Sequence, residues 1–188
     1  MKRLFTLPLL ALAVFATSAA ANPVKGPWGY LVPSPDPTRT DLMICDKTPG
    51  LLNIYVVCRW FNGSTAVQFA APKPSCSTAA YLSDTLVFPV TIGNSQYGVA
   101  VGFGSCRMPP VHVLTITYFA YGTTPADCVY LTLPDPLSGS GWIEIADCNF
   151  DLVQVTGGGN FINPPEAACG ATPAESMTWG QVKSLFTD

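Results

Sequence analysis

From about residue 50 to residue 160, apolar residues recur at every second position in short runs, and no stretch sustains the 3.6-residue period of a helix. The clearest run is Leu52 to Phe61. Leu52, Ile54, Val56, Cys58 and Trp60 fall on one face and Asn53, Tyr55 and Arg59 on the other, the pattern of a strand with one buried face. Ala66 to Ala70 is a shorter strand ended by Pro72 and Pro74, and Thr85 to Ile92 is another, with a turn at Asn94 and Ser95. Tyr97 to Phe103 alternates Tyr97, Val99, Val101 and Phe103 with Gly98, Ala100 and Gly102, so one face packs and the other is nearly bare. A bare face permits close approach, either by a neighbouring element, the plainer reading, or by a ligand. Val111 to Tyr121 is apolar or Thr on both faces, as suits a central strand. Cys128 to Leu133 predicts a strand with Val129, Leu131 and Leu133 inward, Pro134 to Gly141 a loop, and Trp142 to Ala146 and Leu152 to Thr156 two more strands. About eight or nine short strands at this spacing predict a β-sandwich.

The flanks differ in character. Lys2 and Arg3, the apolar run Leu4 to Phe15 and Ala19-Ala20-Ala21 read as a secretory signal over residues 1–21, and a run of this length is too short for the ~20 residues that cross a bilayer. Over residues 22–41, Pro23, Pro27, Pro33, Pro35 and Pro37 predict an extended, mostly unpaired arm. The sandwich domain then occupies 42–163, and 164–188 is a linker and helical tail. In the tail, Thr172-Pro173-Ala174-Glu175 carries helix-start signals, with Thr178 and Gln181 an alternative start. Trp179, Val182 and Phe186 share a face, and Lys183 suits the last turn.

Charge narrows the partners. Removing Lys2 and Arg3 from the nine basic residues leaves seven against twelve acidic ones, a net of −5, which disfavours nucleic acid and anionic membrane surfaces. The seven cysteines then carry weight, because an exported chain oxidises them and an odd number leaves one over. Cys45, Cys76, Cys106, Cys128, Cys148 and Cys169 are the disulfide candidates. Proximity along the chain suggests Cys106 with Cys128 and Cys148 with Cys169. Cys58, on a core face, is the expected bystander, and a leftover thiol leaves room for a disulfide-linked dimer.

Catalytic chemistry finds little footing. His112 is the one histidine, at the start of the strongest strand, and without Gly-x-Ser-x-Gly a serine hydrolase lacks its elbow. No Cys-x-x-Cys supports zinc, and Asp147 to Asp151 starts like a calcium loop but places Leu152 where glycine is needed, so no metal or cofactor is expected and a strand-end Asx turn is the simpler reading. Trp28 and Trp142 are the rings left free for stacking on a sugar or other flat ligand. Gly157-Gly158-Gly159 reads as a flexible turn, and Asn62-Gly63-Ser64 as a hairpin turn that also matches a glycosylation sequon.

Several segments together resemble a known group: Ala66-Val67-Gln68-Phe69, Val87 to Ser95, Val113-Leu114-Thr115-Ile116, Ile143 to Cys148 and the tail Thr178-Trp179-Gly180-Gln181-Val182-Lys183. The set is similar to small secreted bacterial proteins with an immunoglobulin- or cohesin-like sandwich and a C-terminal Thr-Trp-Gly-x-(Ile/Val)-Lys tail, a group without an assigned activity. The resemblance implies an all-β antiparallel sandwich with a short C-terminal helix and transfers no binding residues. The expectation is a non-enzymatic module, secreted or held in the periplasm or cell envelope, that binds an extracellular or envelope protein. A carbohydrate- or surface-ligand-binding module is the alternative and a secreted hydrolase the third reading.

Overall fold

The computed structural model describes residues 31–40, 43–60, 62–164 and 169. These form eleven strands, in chain order β1 (Leu31–Ser34), β2 (Gly50–Cys58), β3 (Ser64–Phe69), β4 (Ala80–Leu86), β5 (Val90–Asn94), β6 (Gly98–Arg107), β7 (Val111–Ala120), β8 (Cys128–Leu131), β9 (Ile143–Asp147), β10 (Leu152–Val155) and β11 (Gly159–Ile162). A four-stranded sheet in the order β1-β2-β7-β4 faces a five-stranded sheet in the order β10-β9-β3-β6-β5, and β11 and β8 form a two-stranded ribbon beside them. All strand pairs are antiparallel. The core lies between the sheets, where Ile54, Val56, Ile116 and Tyr118 meet Phe69, Val99, Val101, Ile143 and Ile145, all buried. The described part of the chain contains no helix; the expected tail helix, with Trp179, Val182, Lys183 and Phe186, lies outside the described residues, as do the signal segment and Trp28.

The two strongest periodic segments fold as their patterns dictate. β2 buries Ile54, Val56 and Cys58, and Trp60 beyond its end, in the core, while Asn53 and Arg59 face solvent; Val57, where the register with β7 shifts by one residue, is buried outside that core cluster. β7 is flanked by β2 and β4, the central position that its two-sided apolar pattern predicts.

Five local expectations are corrected. Leu31–Ser34 is not an unpaired arm: it is extended, but its residues, Pro33 included, are buried and pair with β2 from Leu31↔Cys58 to Ser34↔Tyr55. An edge strand tolerates the proline, whose missing N–H costs no ladder bond on the open side. Thr85 to Ile92 is not one strand. The chain bends at 87–89, where Pro89 cannot donate, so β4 ends in one sheet and β5 begins in the other. Asn62 and Gly63 form a turn, with Gly63 at φ +75, but not a hairpin: β2 already has β1 and β7 as neighbours and β3 has β9 and β6, so the turn carries the chain between sheets.

The fourth correction inverts β8. Cys128, Tyr130 and Thr132 point inward while Val129, Leu131 and Leu133 are exposed. Hydrogen bonding decides the phase. Tyr130 reaches Tyr118 and the Ala71 carbonyl, and Thr132 Oγ1 donates to the Leu31 carbonyl at 2.8 Å while accepting from the Gly158 N–H at 3.1 Å. Orphaning these buried backbone groups would cost about 1–3 kcal/mol each, comparable with burying one more aliphatic side chain.

Finally, Gly157–Gly159 is not a flexible turn. Gly158 donates to the Leu31 carbonyl at 2.7 Å, Gly159 opens β11, and a Cβ on Gly157 would lie 1.8 Å from the Thr132 carbonyl oxygen. The glycines let two backbones touch.

Three disulfides cross-link the fold: Cys45–Cys169, Cys76–Cys128 and Cys106–Cys148. The sequence-local pairings of Cys106 with Cys128 and Cys148 with Cys169 do not occur. β6 and β9 flank β3 in one sheet, so Cys106 at the end of β6 and Cys148 just after β9 are spatial neighbours despite a separation of 42 residues. With loops of 42, 52 and 124 residues, each bridge stabilises by about 4–5 kcal/mol in the chain-entropy account. Cys58 is the free cysteine. It is fully buried, its thiol lies 3.8 Å from the Ser64 hydroxyl, and burial pushes its pKa up. A bridge from Cys58 to a second copy is therefore closed to the folded chain.

Candidate functional site

The outer face of the five-stranded sheet is built by cross-strand register. One row reads Leu152, Ala146, Ala66, Gly102 and Val90 from β10 to β5, and the next reads Gln154, Glu144, Gln68, Ala100 and Ile92. The central three strands thus contribute Ala, Gly and the flat ends of the polar row. The two edges carry Leu152, Val90 and Ile92, which are 66%, 57% and 73% exposed. Small residues between aliphatic ridges make a trough, with a cavity of about 270 Å³ over it. Four strand spacings separate the ridges, roughly 19 Å at ~4.8 Å each, wider than the ~10–12 Å diameter of a helix with its side chains.

The trough has one polar end. Gln68 Nε2 donates to Asp135 Oδ2 at 2.7 Å, and Asp135 Oδ1 accepts the Leu137 N–H at 2.8 Å, so the 134–141 loop is fastened beside it. Gly98 makes that docking possible, since a Cβ there would lie 2.1 Å from the Asp135 carboxylate. The Glu144 carboxylate, half-buried on the same row, makes no hydrogen bond to a described residue. The bare face of Tyr97 to Phe103 therefore splits in two: Gly98 serves close packing, and Ala100 and Gly102 floor an open surface.

The candidates for chemistry stay apart. His112 Nε2 lies 2.9 Å from Thr115 Oγ1, and its ring meets Tyr55 edge-on at 5.2 Å. Burial lowers its pKa, and no carboxylate of a described residue hydrogen-bonds to it. Asp147 Oδ1 accepts the N–H groups of Asn149 at 2.8 Å and Asp151 at 3.0 Å, closing an Asx turn that needs no ion, and no His/Cys/Asp/Glu cluster suited to a metal exists among the described residues. Trp142 is half-buried at the end of its loop, where its backbone N–H donates to Ser140 Oγ, and it does not line the trough. The small-residue alternation in β6 was the one sequence signal of this face; its walls, on strands far apart in the chain, became visible only with the register.

No protein-family model and no curated protein matches the sequence. Solved structures do share the fold. A non-cellulosomal cohesin from the hyperthermophilic archaeon Archaeoglobus fulgidus is 10% identical, with a TM-score of 0.50 over 78% of this chain and 99% of that one. The sixth cohesin of scaffoldin B from Acetivibrio cellulolyticus, solved in complex with a Cel5 dockerin mutant, is 11% identical, with a TM-score of 0.44 over 73% of this chain and 99% of that one. The fold is a cohesin-like β-sandwich.

Proposed function

We propose that this chain is a non-enzymatic, exported interaction module whose binding face is the trough on the five-stranded sheet. The observation that carries the reading is the exposure of Leu152, Val90 and Ile92 around a small-residue floor. Aliphatic side chains displayed as two ridges are a loss in water and a gain against a partner. The width suits a partner helix lying in the trough, with large apolar side chains over Ala66, Ala100, Ala146 and Gly102, and a Lys, Arg or N–H donor meeting Glu144. Three disulfides support an oxidising compartment outside the cytosol, in line with the signal-like first 21 residues. The cohesin-like fold is consistent with protein binding, and the isolated His112 speaks against hydrolysis.

The test is affinity capture from the culture medium and envelope of the producing cells, with the exported chain as bait. Gly102→Arg places a long charged side chain on the trough floor, and Leu131→Arg makes the same change on the exposed side of β8. Partners retained by the native chain and the Leu131 variant but lost with the Gly102 variant, at equal thermal stability, support the reading. Identical capture by all three removes the trough from the function.

A further inference from the structure

The sandwich carries a second feature that the trough does not use. The described basic residues are Arg39, Lys47, Arg59, Lys73 and Arg107. The three arginines gather at one end of the molecule around the β6–β7 turn. Arg39 and Arg59, with Thr38 and Thr40, line a cavity of about 550 Å³ against Pro109 and Pro110, and Arg107 lines an adjoining one of about 740 Å³ that shares Pro110. The second cavity is an apolar groove, walled by Val87, Phe88, Phe103 and Met108.

The described residues include eight acidic and five basic ones; all three described arginines share this end with one of those carboxylates, Asp36, so positive charge is concentrated here, while none of the other seven acids lines either cavity. The local structure holds these groups in place. Asp36 Oδ1 accepts the N–H groups of Thr38 at 2.7 Å and Arg39 at 3.1 Å, which orders the loop bearing Thr38, Arg39 and Thr40. Cys106, the residue before Arg107, is bridged to Cys148. The Arg107 guanidinium carbon lies 5.9 Å from the centre of the Phe88 ring, within cation–π range. Neither the Arg59 nor the Arg107 guanidinium hydrogen-bonds or ion-pairs with a described residue. His112 at the groove adds no fixed charge, because burial lowers its pKa.

We propose that this end is a second binding site, for an acidic peptide segment of a partner: its carboxylates engage Arg59, Arg107 and Arg39, and an apolar residue beside them enters the Phe88–Phe103 groove. The guanidinium fork matches a carboxylate in a way that the described lysines, Lys47 and Lys73, which lie elsewhere, would not. The groove favours peptide over saccharide. Phe103 is buried and packs at 4.6 Å on Phe88, whose half-buried ring lies under Arg107, so the groove does not present the broad flat aromatic face on which a sugar ring stacks. A nucleic acid is disfavoured by the acidic remainder of the chain.

The test uses the full chain and three probes in calorimetric titrations: a blocked peptide of Asp, Glu and Phe, the same peptide with Asn and Gln replacing its acids, and oligogalacturonate as an anionic saccharide. Binding of the acidic peptide is expected at about 20 mM salt, with marked weakening at about 300 mM as screening shortens the Debye length. The amide peptide should fail to bind. Arg59→Gln and Arg107→Gln should each weaken the acidic peptide by about tenfold, the worth of one charge-assisted hydrogen bond, while Lys47→Gln and Lys73→Gln change it less than about twofold. Thermal melts of each variant confirm that the fold is kept. No binding of the acidic peptide, equal losses from the lysine and arginine variants, or tighter binding of oligogalacturonate overturns the proposal.

Discussion

The buried tyrosine pair offers a sharp test of how this sandwich is held together. Tyr130 donates to the Ala71 carbonyl at 2.8 Å, so the 2.7 Å contact between the two phenols must run from Tyr118 to Tyr130, and Gln96 Nε2 donates in turn to Tyr118 at 3.2 Å. The relay crosses from β7 to β8 through the core, where both rings are 1% exposed. Tyr130→Phe removes the middle of the relay. It leaves the Tyr118 hydroxyl a buried donor without an acceptor, and leaves the Ala71 carbonyl only the 3.4 Å donation from Gln96. An orphaned buried donor costs about 1–3 kcal/mol, so a loss of about 2 kcal/mol is expected, or roughly 8 °C in Tm for a domain of this size. Tyr118→Phe removes one end of the relay: Tyr130 keeps Ala71, Gln96 keeps Ser95 Oγ at 2.9 Å, and the loss is about 1 kcal/mol. The double variant orphans no phenol and should cost less than the two singles together. Thermal melts of the four proteins measure the cycle. A Tyr118→Phe loss larger than that of Tyr130→Phe, or full additivity, refutes the directional relay. Alkaline pH reads the same network. Burial raises the Tyr118 pKa from 10 to about 12, and that of Tyr130 also lies well above 10. The folded state thus holds the phenol protons more tightly than the unfolded chain does. This contribution is complete below pH 10 and is lost as pH climbs through about 12, and Tyr118→Phe should flatten the fall.

Three further outcomes follow from the packing. Gly157→Ala, which drives a Cβ to 1.8 Å from the Thr132 carbonyl oxygen, should destabilise by more than about 3 kcal/mol, while Gly102→Ala, whose Cβ meets Val90 at 3.4 Å on the trough floor, should stay within about 1 kcal/mol; denaturant titrations compare them. Replacing Cys106 and Cys148 together by Ser should cost up to about 4 kcal/mol, with the trough face still folded. Because burial lowers the His112 pKa, the unfolded chain binds a proton there more readily; stability held above pH 6.5 should decline as pH falls through the folded value, and His112→Gln should reduce that acid-side slope in pH-dependent melts.

The legible parts of the fold were those in which one sheet face is dry and the other wet. β2 and β7 could be placed from alternation because Ile54, Val56 and Ile116 bury apolar surface and little else decides their phase. β8 misled for the opposite reason: its Val, Leu and Leu are outward because Tyr130 and Thr132 satisfy backbone carbonyls inside, and hydropathy does not register hydrogen-bond demand. Pro89 was in view, but whether a proline bends a strand or sits at its edge depends on which sheet each half joins. Disulfide partners and the trough both depend on which strands are neighbours. Cys106 meets Cys148, and Gly102 meets Val90 and Ala66, through ladders between segments far apart in the chain. The hydrophobic period could supply the floor of the site but not its walls.

The bridge between Cys45 and Cys169 also determines how the domain carries tension. It spans 124 residues and sits beside the two parallel contacts, Leu31 with Gly157 and Ile44 with Ile162, where the first and last described segments run together. A pull applied before Leu31 and after Cys169 passes along residues 31–45, crosses the sulfur–sulfur bond and leaves, so β1 and Arg39 bear the load while the five-stranded sheet with its trough, and Arg59 and Arg107, lie off the line of force. Only residues 31–44 can be peeled away, an extension of about 50 Å at ~3.5 Å per residue. With the bond reduced, the intervening chain joins the load path and adds roughly 430 Å of slack. An oxidised domain strung between moving anchors would therefore behave as a short, stiff link that keeps its trough folded under strain.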